Sequence, residues 1–187
     1  MFLSAKEKIM KAAKVLFSEY GYGETSTKRI AQKAKVNEVT IFRLFGSKSK
    51  LLQEIITNFA YEGNIIDKIK AELTGDITQD LYIFAHVYYQ FLENNISLYK
   101  IQIKEISEEG VTFSNSVAYV EYMKDYLETA KENRLFHGDP QMVASSMIAL
   151  IFGLFSFDVY NQNIYTSTVH HESIINTYVD HIYKLYC

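Results

Sequence analysis

The chain has 187 residues, 48% hydrophobic and 22% charged, which is enough for one sizeable core or two smaller ones and excludes disordered and fibrous classes. Eight glycines and one proline leave few interruptions, so long helices are favoured over many short strands and an all-α fold of about nine helices is predicted. The net charge of −3 hides an asymmetry: residues 1–60 carry eleven Lys/Arg against five acids, +6, and the remainder carries eight against seventeen, −9.

A basic end on an acidic body confines attraction for phosphate to the N-terminal part. The single cysteine, Cys187, excludes an intrachain disulfide or a cysteine metal cluster and points to a reducing cytoplasm. Lys6, Glu7, Lys8, Lys11 and Lys14 interrupt any secretory leader pattern.

In chain order, Ser4 can cap a helix to about Tyr20, with Ile9, Ala12, Ala13, Leu16 and Phe17 on one stripe and Gly21 as its stop. Thr25 or Ser26 can cap a short second helix through Ile30, Ala31 and Ala34. After Lys35 and Val36, Asn37 caps a third, Glu38 to Phe45, held by Ile41, Leu44 and Phe45. The pair reads as a helix-turn-helix whose second member has the size to enter a major groove. Ser47 then caps a fourth helix expected to run through Leu51, Leu52, Ile55, Ile56 and Phe59 toward Ile65, Ile66 and Ile69. Lys48 and Lys50 in its first turn oppose the helix dipole. Function explains them better than folding, since Lys48 beside free backbone N–H groups suits a DNA phosphate.

Further helices are predicted from Asp76 to Asn94, from Ser97 to Glu108 and, after a loop at Glu109–Thr112, from Ser114 or Asn115 to Asn133. Gly138, Asp139 and Pro140 form a stop, a cap and a first-turn proline. The uncharged run Met142–Phe157 is too short for a membrane span and reads as a helix covered by its own domain on one side and a partner subunit on the other. Ala149 and Gly153 would permit close helix approach. The last helix, Glu172 to Tyr186, has apolar residues on too many faces for a monomer surface, and two such helices per subunit would form a four-helix dimer interface.

Ile9 to Leu52 closely resembles the DNA-binding domain of the TetR family of transcriptional regulators. The shared pattern is alanines and Leu16-Phe17 on the first helix, Gly21-Tyr22, Thr25-Ser26, Ile30-Ala31, the turn valine Val36, Thr40, two aromatics, and Ser47-Lys48 before the Leu51-Leu52 pair. The resemblance implies residues 1–47 as DNA-binding domain and 48–187 as effector-binding and dimerisation domain. It also implies a homodimer on a palindromic double-stranded DNA operator. Three positions depart from the family pattern: Val39 replaces a common glycine, Phe42 a tyrosine and Leu44 a histidine. Phe42 cannot give a phosphate the hydroxyl that the tyrosine supplies, and Val39 alters the groove contact.

Lys28, Thr40 and Arg43 are the base-reading candidates, since Arg can pair bidentately with guanine and Thr can touch a thymine methyl. Thr27 and Lys48 are candidate phosphate anchors, with Val39 and the Phe42 ring completing the DNA-facing set. The body is rich in aromatic residues. Plain core packing accounts for any one of them, and the resemblance adds a cavity for a small hydrophobic effector, for which Tyr88, Tyr122, Met123 and Tyr126 are the candidates. His170, His171 and Glu172 do not make a metal site, because adjacent helical residues point apart. No cofactor and no catalytic motif is expected. The reading is a cytoplasmic, ligand-responsive repressor. The alternatives are control by a protein partner, activation rather than repression, and a helix-turn-helix serving as a structural unit.

Overall fold

The computed structural model describes residues 3–61, 65–104, 114–160 and 170–187. It contains ten helices and, among the described residues, no strand: α1 Ala5–Tyr20, α2 Thr27–Ala34, α3 Glu38–Phe45, α4 Lys48–Tyr61, α5 Ile65–Glu72, α6 Ile77–Asn94, α7 Ile96–Lys104, α8 Ser114–Glu132, α9 Pro140–Tyr160 and α10 His171–Tyr186. The all-α expectation holds, with one helix more than anticipated. A single fourth helix was expected to reach Ile69; the described parts of that stretch are α4 and α5, and residues 62–64 between them lie outside the described set. The expected loop at Glu109–Thr112 and the end of the preceding helix at Glu108 also lie outside it.

The chain forms two compact units, Met1–Glu62 with Asn95–Thr112, and Gly63–Asn94 with Phe113–Cys187. In the first unit the local signals act as the residue types dictate. Ser4 and Glu7 form a reciprocal capping box at α1: Glu7 N–H donates to Ser4 Oγ at 3.2 Å and Ser4 N–H to Glu7 Oε2 at 2.7 Å. The Ser4 N–H, followed by its hydroxyl, lowers the Glu7 carboxyl from its ordinary value. Gly21 ends α1 at φ 89°. Of the two cap candidates for α2, Ser26 is the cap, accepting from Arg29 N–H at 3.2 Å. Thr25 is fully buried instead, its hydroxyl 2.7 Å from Gly21 O and 3.2 Å from Leu16 O, which ties the end of α1 to the start of α2.

Asn37 caps α3 through Val39 N–H at 3.0 Å, and Ser47 caps α4 through Lys50 N–H at 3.0 Å. Ile9, Leu16, Phe17, Ile30, Ile41, Phe45, Leu51 and Ile55 share one core. Leu98 and Ile101 of α7 join the same core, so α4 and α7, though they follow the expected 47/48 boundary, pack in the first unit. Leu44, expected to hold α3, is 38% exposed, because Ile41 and Phe45 already fill the contact and its direction diverges from theirs.

In the second unit α6 buries Leu81, Phe84, Ala85, Tyr88, Tyr89 and Leu92, as its periodicity predicts. Helix α9 buries Val143, Ala144, Met147, Ile151 and Phe155 at 3- and 4-residue spacing against its own unit. It is long and apolar enough by composition to cross a membrane, with 28% of its most apolar window buried. Its opposite side leaves Met142 53% exposed, and a Cβ placed on Gly153 would meet nothing within 4 Å.

Asp139 caps α9 by accepting from Met142 N–H at 3.0 Å. Gly138 before it is buried, and an added Cβ would come within 2.6 Å of Phe136 Cζ and 2.8 Å of Tyr186 Cγ. His137 N–H donates to Tyr186 O at 2.6 Å, so this connection closes onto the end of α10.

Asp80 is the one carboxylate among the fully buried residues described. It accepts from Thr74 N–H (2.7 Å), Thr74 hydroxyl (2.9 Å), Gly75 N–H (3.0 Å) and Tyr126 hydroxyl (2.7 Å). Burial pushes its pKa up, but the four donors together outweigh that, and the net displacement is downward. A depressed carboxylate stabilises the fold above its unfolded pKa, near 3.8, and loses that contribution as pH falls through the folded value.

Asp80→Ala should therefore cost about 3 kcal/mol at neutral pH, because two backbone N–H groups lose their acceptor. In urea unfolding, the gap to the wild type should narrow as pH drops below about 4; a gap independent of pH would refute the charged-acceptor account. Gly138→Ala should cost about 1–3 kcal/mol through overpacking, read in the same assay.

Candidate nucleic-acid interface

The residues expected to meet DNA belong to α2, α3 and the start of α4, all within the first unit. Helix α3 turns Ile41 and Phe45 inward, fully and almost fully buried, which forces its other residues out. Val39 is 70% and Phe42 48% exposed, Arg43 is exposed and Thr40 half-buried. Lys28 is exposed on α2. Helix α3 thus presents an apolar and cationic outer face, on an element of a size that a major groove admits.

The two phosphate-anchor candidates are differently placed. Lys48 is part of the structure: its Nζ donates to Tyr22 O at 2.8 Å and Thr25 O at 3.1 Å and sits 4.0 Å over the Tyr22 ring. It thus pins the start of α4 to the connection between α1 and α2. Thr27 donates its hydroxyl proton to Glu38 Oε1 at 2.6 Å, which joins the first turn of α2 to the first turn of α3. Its hydroxyl can serve a phosphate as donor only by leaving Glu38, whereas its backbone N–H stands at the start of α2.

Two contacts escaped the sequence reading. Arg29 lies with its guanidinium carbon 3.7 Å from the centroid of the Tyr20 ring, which holds a cation beside the start of α2. Lys6 pairs with Glu54 and lies 5.9 Å from the Phe45 ring centroid. Neither pair has a local signature, because its members are brought together by the packing of different helices.

The effector candidates in the second unit divide. Tyr88 and Met123 are fully buried, Tyr88 sharing a 2.9 Å hydrogen bond with Ser116. Tyr122 and Tyr126 are half-buried and line a groove of about 370 Å3 with Gly75, Asp125 and Leu135. One aromatic cluster connects them: Tyr88 to Tyr119 at 4.7 Å between centroids, Tyr119 to Phe84 at 6.0 Å, and Phe84 to Tyr122 and Tyr126 at 6.0 and 5.3 Å. The Tyr126 hydroxyl is committed to Asp80, and burial followed by that bond raises its pKa.

His170 occupies the N-cap position of α10, and His171 stacks on Tyr89 at 4.5 Å between centroids, 3.5 Å from Asp158. Among the described residues no group of three metal-binding side chains occurs.

Lys48→Met should lower stability by about 1–3 kcal/mol, since two carbonyls and a ring lose their cation. Thermal unfolding checks this, and an unchanged midpoint would show that the clamp contributes nothing to folding.

The sequence profile of bacterial regulatory proteins of the tetR family matches residues 9–55. The HTH-type transcriptional regulator YvkB of Bacillus subtilis (strain 168), itself uncharacterized, is 30% identical over 155 residues, 80% of each chain. Among solved structures, the TetR family regulator PfmR from Thermus thermophilus superposes with a TM-score of 0.69 at 20% identity, over 98% of this chain and 97% of that one. NalD, the secondary repressor of the MexAB-OprM multidrug efflux pump in Pseudomonas aeruginosa, gives 0.66 at 20% identity, over 97% and 95%. A tetR-type profile covering α2, α3 and most of α1, a curated relative over most of its length and a shared fold make this chain a DNA-binding transcriptional regulator, not an enzyme, and a member of the TetR family.

Proposed function

We propose that the protein is a homodimeric, effector-released repressor acting in the cytoplasm on a palindromic operator. The observation that carries the DNA side is the outer face of α3: Val39, Phe42 and Arg43 are exposed on a helix anchored by Ile41 and Phe45. In this reading Arg43, Thr40 and Lys28 read bases. Lys48 meets a phosphate with the donor capacity left beside its two carbonyl bonds, and Thr27 does so through its backbone N–H. Phe42 contributes apolar contact in place of a hydroxyl.

The dimer reading rests on α9 and α10. Met142 at 53% and Leu185 at 70% exposure, with Tyr183 at 40%, leave apolar surface that a second copy would cover. Twofold symmetry would then place two reading heads about 34 Å apart, one helical turn of DNA. The effector reading rests on the aromatic cluster around Phe84 and the groove lined by Tyr122 and Tyr126. An apolar ligand entering there would favour one arrangement of the second unit. The chain passes between the units at 62/63, 94/95 and 112/113, so a change in one is covalently linked to the other at three points. Linkage requires that operator DNA weaken effector affinity by the same factor.

Selection of bound sequences from random duplexes should return a palindrome. Arg43→Ala should lose about 1–3 kcal/mol of preference at one base pair per half-site while retaining affinity for random DNA. Equal losses on specific and random duplexes would remove Arg43 from base reading. A compound that binds the dimer without altering operator affinity is not the inducer, and Tyr122→Ala should weaken a true inducer by at least tenfold in a fluorescence titration.

A further inference from the structure

A second cationic feature of the first unit lies away from the start of α4. Between α1 and the C-terminal end of α2 runs a groove of about 350 Å3, floored by Ala12, Val15 and Ala34 and rimmed by Lys8, Lys11, Lys33 and Lys35. All four lysines are exposed, and among the described residues none is in an ion pair. No acid lines the groove. Of the acids of the first unit, Glu7 caps α1, Glu38 takes the Thr27 proton and Glu54 pairs with Lys6.

Folding accounts for only part of this arrangement. Lys8 and Lys11 stand three apart on α1, where like charges repel. Lys35 sits in the left-handed region at φ 56°, a conformation that glycine or asparagine adopts at lower cost. Lys33, in the last turn of α2, and Lys35, at its C-cap, gain from the helix dipole, but that gain is available to a cation at either position and does not require both.

We propose that this groove seats the sugar-phosphate backbone of duplex DNA beyond the base pairs read by α3. Charge fits a polyanion, and the apolar floor fits deoxyribose. The short link to the proposed reading helix favours DNA over another anion: Lys35 closes α2, and two residues later Asn37 caps α3. The contact is independent of base sequence, adds affinity and salt dependence, and lengthens the duplex the protein needs. It rests on the reading of α3 as the groove-entering helix.

The test compares the wild type with a fourfold variant, Lys8→Gln, Lys11→Gln, Lys33→Gln and Lys35→Asn, on mixed-sequence duplexes of about 15 and about 30 base pairs across a salt series. The wild type should prefer the longer duplex by more than the number of sites alone provides. The variant should lose that preference, and its slope of log affinity against log salt should be shallower by about two to three per subunit. Its ratio of affinity for the selected palindrome over a scrambled duplex should stay at the wild-type value.

Lysine acetylation of the wild-type protein gives a readout independent of the variant's folding: the longer duplex should protect Lys8 and Lys11, the shorter should not, and Lys131 should react equally in both. An unchanged slope and length preference, or unprotected Lys8 and Lys11, would reduce the groove to a solvated surface. Loss of sequence preference in the variant would mean that the lysines act by placing α3, which also overturns the proposal. A wild type that binds neither duplex, even at low salt, would sink the α3 reading itself, a result distinct from either.

Discussion

The orientation of one eight-residue helix depends on two side chains. An isolated helix as short as α3 does not persist in water, since nucleation costs more than two turns of hydrogen bonds return. Burial of Ile41 and Phe45 in the core shared with α1, α2, α4 and α7 supplies the missing stability and at the same time sets which residues face out. Val39, Phe42 and Arg43 are presented because their neighbours at helical spacing are held inside. The caps and clamps around this core, Ser26, Asn37, the buried Thr25 hydroxyl and the Lys48 ammonium, remove the unpaired backbone groups that a bundle of short helices would otherwise leave.

The second unit solves a different problem. Its interior is aromatic, and rings pack well but carry hydroxyls that must be paired when buried. Tyr119 donates to Phe84 O, Tyr126 to Asp80, Tyr88 shares a bond with Ser116, and Tyr89 donates to Asp158. Each hydroxyl ties a ring to a different part of the unit, so the cluster has a defined arrangement. That is the condition under which a ligand inserted beside Tyr122 would shift the unit between discrete states and not merely loosen it.

Charge is distributed on a separate logic. Cations at the start of α4, along α1 and at the turn after α2 stand where helix dipoles, mutual repulsion or backbone conformation disfavour them. Under the proposed reading, binding to a polyanion would offset those costs in the complex. The Lys48 ammonium, bonded to two carbonyls, keeps a third donor.

Much of this was legible in the residues themselves. The capping box, stop glycines and the 3- and 4-residue apolar rhythm are local properties, so most of the helices, their order and the outward Arg43 follow from short stretches, whereas the exposure of Leu44 does not. Tertiary packing alone decided the rest. It put α7 with α1, drew Thr27 onto Glu38 and Lys48 onto Tyr22, and separated Tyr88 and Met123, sealed in the core, from Tyr122 and Tyr126 at a groove. Helical periodicity says that a residue faces some neighbour; which neighbour, and whether space remains between them, depends on how helices distant in sequence meet.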